Sequence, residues 1–173
     1  VLLDKNLESA NKGKAYSTNL LDKAINRGHS SEAKKQALLA LINTTISYDD
    51  LQECDLIIEA VFEDVDIKAD CTRQAEVIIS ATAVYASTTS TLPITSLAQA
   101  SKRPNQFIGL HFFSPVDKMP LVEIIVGEDT DDATLAKAFD YVLQIGKTPI
   151  VVNDSRGFYT SRVFGTYVSE GIA

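Results

Sequence analysis

His111 is one of only two histidines in the chain. It closes an apolar run in the stretch GLHFFSPVDKMPLVEII, and a lone glutamate, Glu123, follows twelve residues later inside a second apolar run. Imidazole titrates at about pH 6.5, and a neighbouring carboxylate favours its protonated form and fixes which ring nitrogen carries the proton. Such a pair suits removal of a hydroxyl proton while hydride leaves the adjoining carbon, provided the base reaches the proton it takes. Residue type alone leaves an alternative: a buried histidine satisfied by a backbone carbonyl, and a glutamate turned to solvent.

Other polar residues stand where apolar runs stop: Asp4 after VLL, Glu63 after IIEAV, and residues 87–91 after VYA. In an open α/β sheet, ligands gather beyond the carboxyl ends of the strands. An acid ending the second strand of a dinucleotide fold accepts hydrogen bonds from ribose hydroxyls; the alternative for Asp4 is a turn-capping aspartate. Ser90 lies in the hydroxyl-rich TTSTLP, where most such side chains satisfy turn backbone. Lys68 reads by default as a solvated surface lysine. Lys12, Lys14 and Lys23 read as solubilising unless they face the phosphates of an anionic substrate, and His29 as a helix-end surface residue.

The elements that must position these groups follow from periodicity. Helices are expected over 7–27, with Gly28 as the stop, and from a Ser30 or Ser31 cap to about residue 43. Residues 55–61 (DLIIEAV) read as a parallel strand covered on both faces. A helix over 64–79 would bury Ile67, Cys71, Ala75 and Ile78. Residues 83–87, 106–112, 120–126 and 148–153 read as strands. Residues 94–100 read as a short helix, and 131–145 as a helix with the stripe Leu135, Ala138, Phe139, Val142, Ile145. Strands separated by helices specify βαβ units, so the fold class is α/β with a mainly parallel sheet.

The length of 173 residues allows one domain with a core, and 45% hydrophobic with 23% charged residues excludes global disorder. A formal charge of −7 argues against nucleic acid or anionic membranes as partners, because both need a positive face. No apolar run approaches the roughly 18 residues of a membrane span. Cys54 and Cys71 lack a CxxC spacing and read as small core residues; no metal site is expected, and a reducing cytoplasm fits this usage.

The run IGLHFFSPVDKMPLVEII, with YASTTSTLPITSLA before it and KTPIVVNDSRGF after it, resembles the L-3-hydroxyacyl-CoA dehydrogenase family, and within it the dehydrogenase segment of bacterial multifunctional β-oxidation α-subunits. The resemblance implies a Rossmann-like, doubly wound sheet and oxidation of an L-3-hydroxyacyl-CoA to the 3-ketoacyl-CoA with NAD. It makes His111 the base, Glu123 its orienting carboxylate, and Ser90 a contact of both substrate oxygen and cofactor. Asp4 falls to the adenosine ribose; Val61, Phe62, Glu63 and Lys68 to the nicotinamide half; and Ser114 to the cofactor's surroundings. Ser17 aligns loosely with a CoA-contacting serine. Thr88 and Ser161 stand where relatives carry asparagine, the latter on the thioester side of the substrate.

The family's glycine-rich loop is not found ahead of Asp4. The expectation is therefore a fragment lacking the first strand, with residues 1–154 in the NAD-binding domain and 155–173 opening a helical domain. The parent would be a homodimer or part of a β-oxidation complex with a thiolase. A dehydrogenase of a smaller hydroxy acid and a noncatalytic assembly module are the alternatives.

Overall fold

A computed structural model describes residues 1–172. The chain forms two compact units, Val1–Glu53 and Cys54–Ala173.

In the first unit, β1 (Leu2–Leu3) leads into α1 (Leu7–Asn26), which starts where the Asn6 side chain accepts the Ser9 N–H. It stops before Gly28, whose φ of 73° suits the left-handed C-terminal position. Ser31 caps α2 (Glu32–Ala40) by accepting the Lys34 N–H. This helix ends short of the expected residue 43. The Asn43 carbonyl accepts the Leu2 N–H, and β2 (Thr44–Thr45) pairs parallel with β1, so the segment is drawn into extended backbone.

The second unit is built on a five-stranded sheet in the order β3-β4-β5-β6-β7: β3 (Leu56–Glu59), β4 (Val84–Ser87), β5 (Phe107–Phe112), β6 (Leu121–Val126) and β7 (Thr148–Asn153). Its strands are parallel except at the β5–β6 hairpin, so the sheet is mainly parallel, as its βαβ pattern predicts. The helices are α3 (Val65–Ile78), α4 (Ile94–Ala98), α5 (Asp132–Gln144) and α6 (Thr160–Gly171). Val84, Ala86, Ile108, Leu110, Val122 and Ile124 pack against Ala138 and Val142 of α5 to form the core. Gly109 permits the close passage of α4, since a Cβ there would stand 2.8 Å from the Ile94 side chain and 2.9 Å from the Ile125 Cβ. None of the described helices is long and apolar enough to cross a membrane.

Two expected helix faces are corrected. On α3, Lys68, Ala69, Thr72 and Ala75 are buried while Ile67 is exposed. Each residue advances an α-helix by about 100°, so turning Lys68 inward to meet a partner carries Ile67 out. On α5, the buried face is Thr134, Ala138 and Val142, whereas Phe139 and the C-cap Ile145 are exposed. Cys54 and Cys71 are half-buried rather than core residues.

Candidate active site

β5 and β6 form an antiparallel pair in which His111 stands directly opposite Glu123. The register converts a separation of twelve residues into contact: His111 Nδ1 lies 2.7 Å from Glu123 Oε2. The glutamate does not face solvent; it is fully buried, and the histidine nearly so. Three further donors converge on the carboxylate. Oε1 accepts the N–H groups of Tyr159 (3.2 Å) and Thr160 (2.8 Å), and Oε2 accepts the Thr160 hydroxyl (2.8 Å). A carboxylate offers about four lone-pair sites, so Glu123 is saturated and His111 donates from Nδ1, leaving Nε2 as the acceptor face.

The Thr160 contacts come from the first turn of α6, whose N-cap residue, Tyr159, makes no side-chain cap bond. Glu123 takes over that work across the fold, placing a negative group at a helix N-terminus, where the dipole favours it. The approach depends on a sharp turn at Gly157 (φ 78°) and Phe158 (φ 48°). Phenylalanine in the left-handed region is strained, and it is held there by complete burial. Its ring lies 6.0 Å from that of His111, whose other aromatic neighbour is Phe113, with ring centres 4.6 Å apart.

A second polar cluster occupies the carboxyl ends of β3 and β4, where Glu59 and Ser87 are register partners. Lys68, expected at the surface, is 2% exposed, and its ammonium sits 2.8 Å from Glu59 Oε1. Glu59 also accepts the Val61 N–H and the Ser87 hydroxyl, each at 2.8 Å. Glu63 binds the following loop: its Oε1 accepts the Thr89 hydroxyl (2.6 Å), the Ser90 N–H (3.0 Å) and the Thr91 N–H (3.2 Å), while its Oε2 lies 3.7 Å from Lys68. Ser90 thus joins this cluster through its backbone.

Partial burial by itself would raise the Glu63 carboxyl. The Thr89 hydroxyl, the Ser90 N–H, the Lys68 charge and the Thr91 N–H outweigh it and hold the group below its ordinary 4.5. A lowered folded-state value means that these contacts stabilise fully above the ordinary value and are lost as pH falls through the lower one. Glu63→Gln is therefore expected to lower the thermal midpoint near neutral pH and to remove part of its decline on acidification. Parallel midpoint-against-pH curves for the two proteins would count against the assignment.

The remaining sequence candidates are placed as follows. Val61 and Phe62 are exposed just beyond β3, and Ser114 is exposed beyond β5. Ser161 is half-buried beside Thr160 on α6. In the first unit, Asp4 follows β1 and accepts the Lys5 N–H at 2.7 Å, Ser17 is half-buried on α1, and the Lys14 ammonium is spent on the Ile42 carbonyl. Glu59 and Thr160 were not singled out by the sequence, whereas Ser87 and Thr89 belong to the polar stretch 87–91 expected beyond β4 and do join the cluster there. Asp154 was seen only as part of a boundary, yet its carboxylate accepts the Ile94 and Thr95 N–H groups at 2.8 Å and so caps α4. A cleft of about 810 Å³ along β7 and α6 reaches Phe158 and Tyr159 but neither His111 nor Glu123.

Residues 1–155 match the sequence profile of the 3-hydroxyacyl-CoA dehydrogenase NAD binding domain. A fatty acid oxidation complex subunit alpha from Shewanella amazonensis is 44% identical over 96% of this chain, which spans 23% of that relative. The crystal structure of (S)-3-hydroxybutyryl-CoA dehydrogenase PaaH1 from Ralstonia eutropha superposes with a TM-score of 0.93 at 38% identity, covering 99% of this chain and 63% of that one. A 3-hydroxybutyryl-CoA dehydrogenase from Escherichia coli K12 gives 0.93 at 27% identity, over 97% of this chain and 36% of the other. With its α/β sheet, its paired His111 and Glu123 and these matches, the chain belongs to the 3-hydroxyacyl-CoA dehydrogenase family, matching its NAD-binding domain.

Proposed function

We propose that the chain is the NAD-binding segment of a longer enzyme that oxidises an L-3-hydroxyacyl-CoA to the 3-ketoacyl-CoA in fatty-acid breakdown. The observation that carries this reading is the 2.7 Å bond between His111 Nδ1 and Glu123, with the carboxylate fixed by three other donors. His111 Nε2 takes the proton of the substrate's 3-hydroxyl as the C3 hydride departs, and Glu123 holds the ring in the required tautomer. When bound, NAD supplies the hydride acceptor.

The residues at the carboxyl ends of β3 and β4 fit that cofactor. Val61 and Phe62 leave apolar surface exposed beside the polar loop carrying Ser90, which suits one face and one edge of a nicotinamide ring. Ser90 bonds the substrate oxygen, Ser114 lines the cofactor side, and Asp4 accepts the ribose hydroxyls. Lys68 acts through Glu59 and Glu63, because its ammonium is already held by the first of these. Ser17 and Ser161 contact the acyl-CoA. The division near residue 154, a cytoplasmic location and assembly with a thiolase or a second copy belong to the same reading; the similarity to a fatty acid oxidation complex subunit supports assembly into a complex.

The test is an assay of the full-length polypeptide with acetoacetyl-CoA and NADH. Oxidation of NADH is expected. Its absence in a folded protein would favour a noncatalytic module, and oxidation only with a free short keto acid would favour a dehydrogenase of smaller substrates.

A further inference from the structure

We infer that Thr160 is a positioning residue for the His111–Glu123 pair, and that its hydroxyl keeps the shared proton on His111. The inference deepens the proposed reaction and rests on that reading for its kinetic consequence. Oε2 of Glu123 is contested by two donors, His111 Nδ1 at 2.7 Å and Thr160 Oγ1 at 2.8 Å. A hydroxyl donating to one carboxylate oxygen draws charge from it and weakens its pull on any other proton it shares. With the threonine in place, the Nδ1 proton stays with the imidazole and the carboxylate holds the ring in the orientation that presents Nε2 to the substrate. Without it, Oε2 of the fully buried Glu123 has a lone pair unfilled, and among the described residues His111 Nδ1–H is the remaining donor to that oxygen, placed to tighten in response.

The backbone supports the same conclusion. Thr160 is the first residue of α6, one past the N-cap Tyr159, which makes no side-chain cap bond. Here the hydroxyl goes to a strand residue 37 positions away, and the adjacent Tyr159 and Thr160 N–H groups bind the other carboxylate oxygen. The carboxylate is therefore clamped at both oxygens by one turn, which fixes its rotation about the side-chain axis as well as its charge. The strained left-handed Phe158 directs that turn inward.

The deciding measurement is the low-field proton resonance of the imidazole Nδ1–H in the full chain, with kinetics beside it. Thr160→Val, which keeps the side-chain shape and removes the donor, is expected to move this resonance further downfield. It should also lower kcat about tenfold, the low end of what one hydrogen bond to a charged group is worth, with the substrate KM and NAD affinity unchanged. Thr160→Ser restores the donor and should return both readouts to wild type. If the valine variant does not fold, Thr160→Ala carries the same expectation. An unmoved resonance would overturn the inference, and so would a serine variant that behaves like the valine one, since that would point to packing. A resonance that moves in Thr160→Val, in a protein whose wild type has no dehydrogenase activity, would uphold the positioning role and refute the proposed reaction.

Discussion

His111→Gln is expected to lower kcat by about 10²–10⁴-fold, the usual contribution of a positioned general base, while leaving NAD affinity within about twofold of wild type. Glutamine preserves a planar group whose amide N–H can still meet Glu123, so the carboxylate keeps a donor and the β5–β6 hairpin keeps its register. What disappears is the basic imidazole lone pair, because the amide oxygen is not basic. Steady-state kinetics at saturating substrate and a direct NAD titration check the two halves separately. Wild-type turnover would remove His111 from the chemistry; lost NAD affinity would mean that the substitution had disturbed the neighbouring cofactor residues instead.

The His111–Glu123 pair was legible because two independent signals coincided. A glutamate inside an apolar strand demands a partner, and a spacing of twelve fits a hairpin of two short strands. The first signal was also present at Glu59, in the run LIIEAV, but its partner Lys68 lies on a helix, where hydrophobic periodicity assigned the buried face to Ile67 and Cys71. A charge pair inside the fold overrode that stripe, since leaving Glu59 unpaired costs more than exposing one isoleucine. Thr160 gave no signal. Its contact joins β6 to the start of α6 across 37 residues, and nothing local in GFYTSR distinguishes a hydroxyl that caps its own helix from one that reaches a distant carboxylate. The strand alternation and the mainly parallel sheet were legible because βαβ periodicity is local; the end of α2 was not, because pairing with β1 decided it.

Lys68→Met should have the largest effect on stability, a loss of about 3–5 kcal/mol in denaturant unfolding followed by circular dichroism. Methionine reproduces most of the lysine stem, so the space beneath α3 stays filled; the loss comes from Glu59, 3% exposed, whose charge then faces the interior with only the Val61 N–H and the Ser87 hydroxyl. The double variant Glu59→Gln/Lys68→Met removes both charges and should recover a large part of the loss, because breaking a buried pair costs far more than replacing it. A single-variant loss below about 1 kcal/mol, the range of exposed ion pairs, would mean that the pair is open to water. The same substitution reaches the cofactor loop. Lys68 is one of the groups holding the Glu63 carboxyl below its ordinary value, so without it that depression shrinks. The stability that Glu63 contributes above its ordinary value then becomes smaller, and less of it remains to be lost on acidification, so the dependence of unfolding on acid pH should flatten in Lys68→Met as it does in Glu63→Gln.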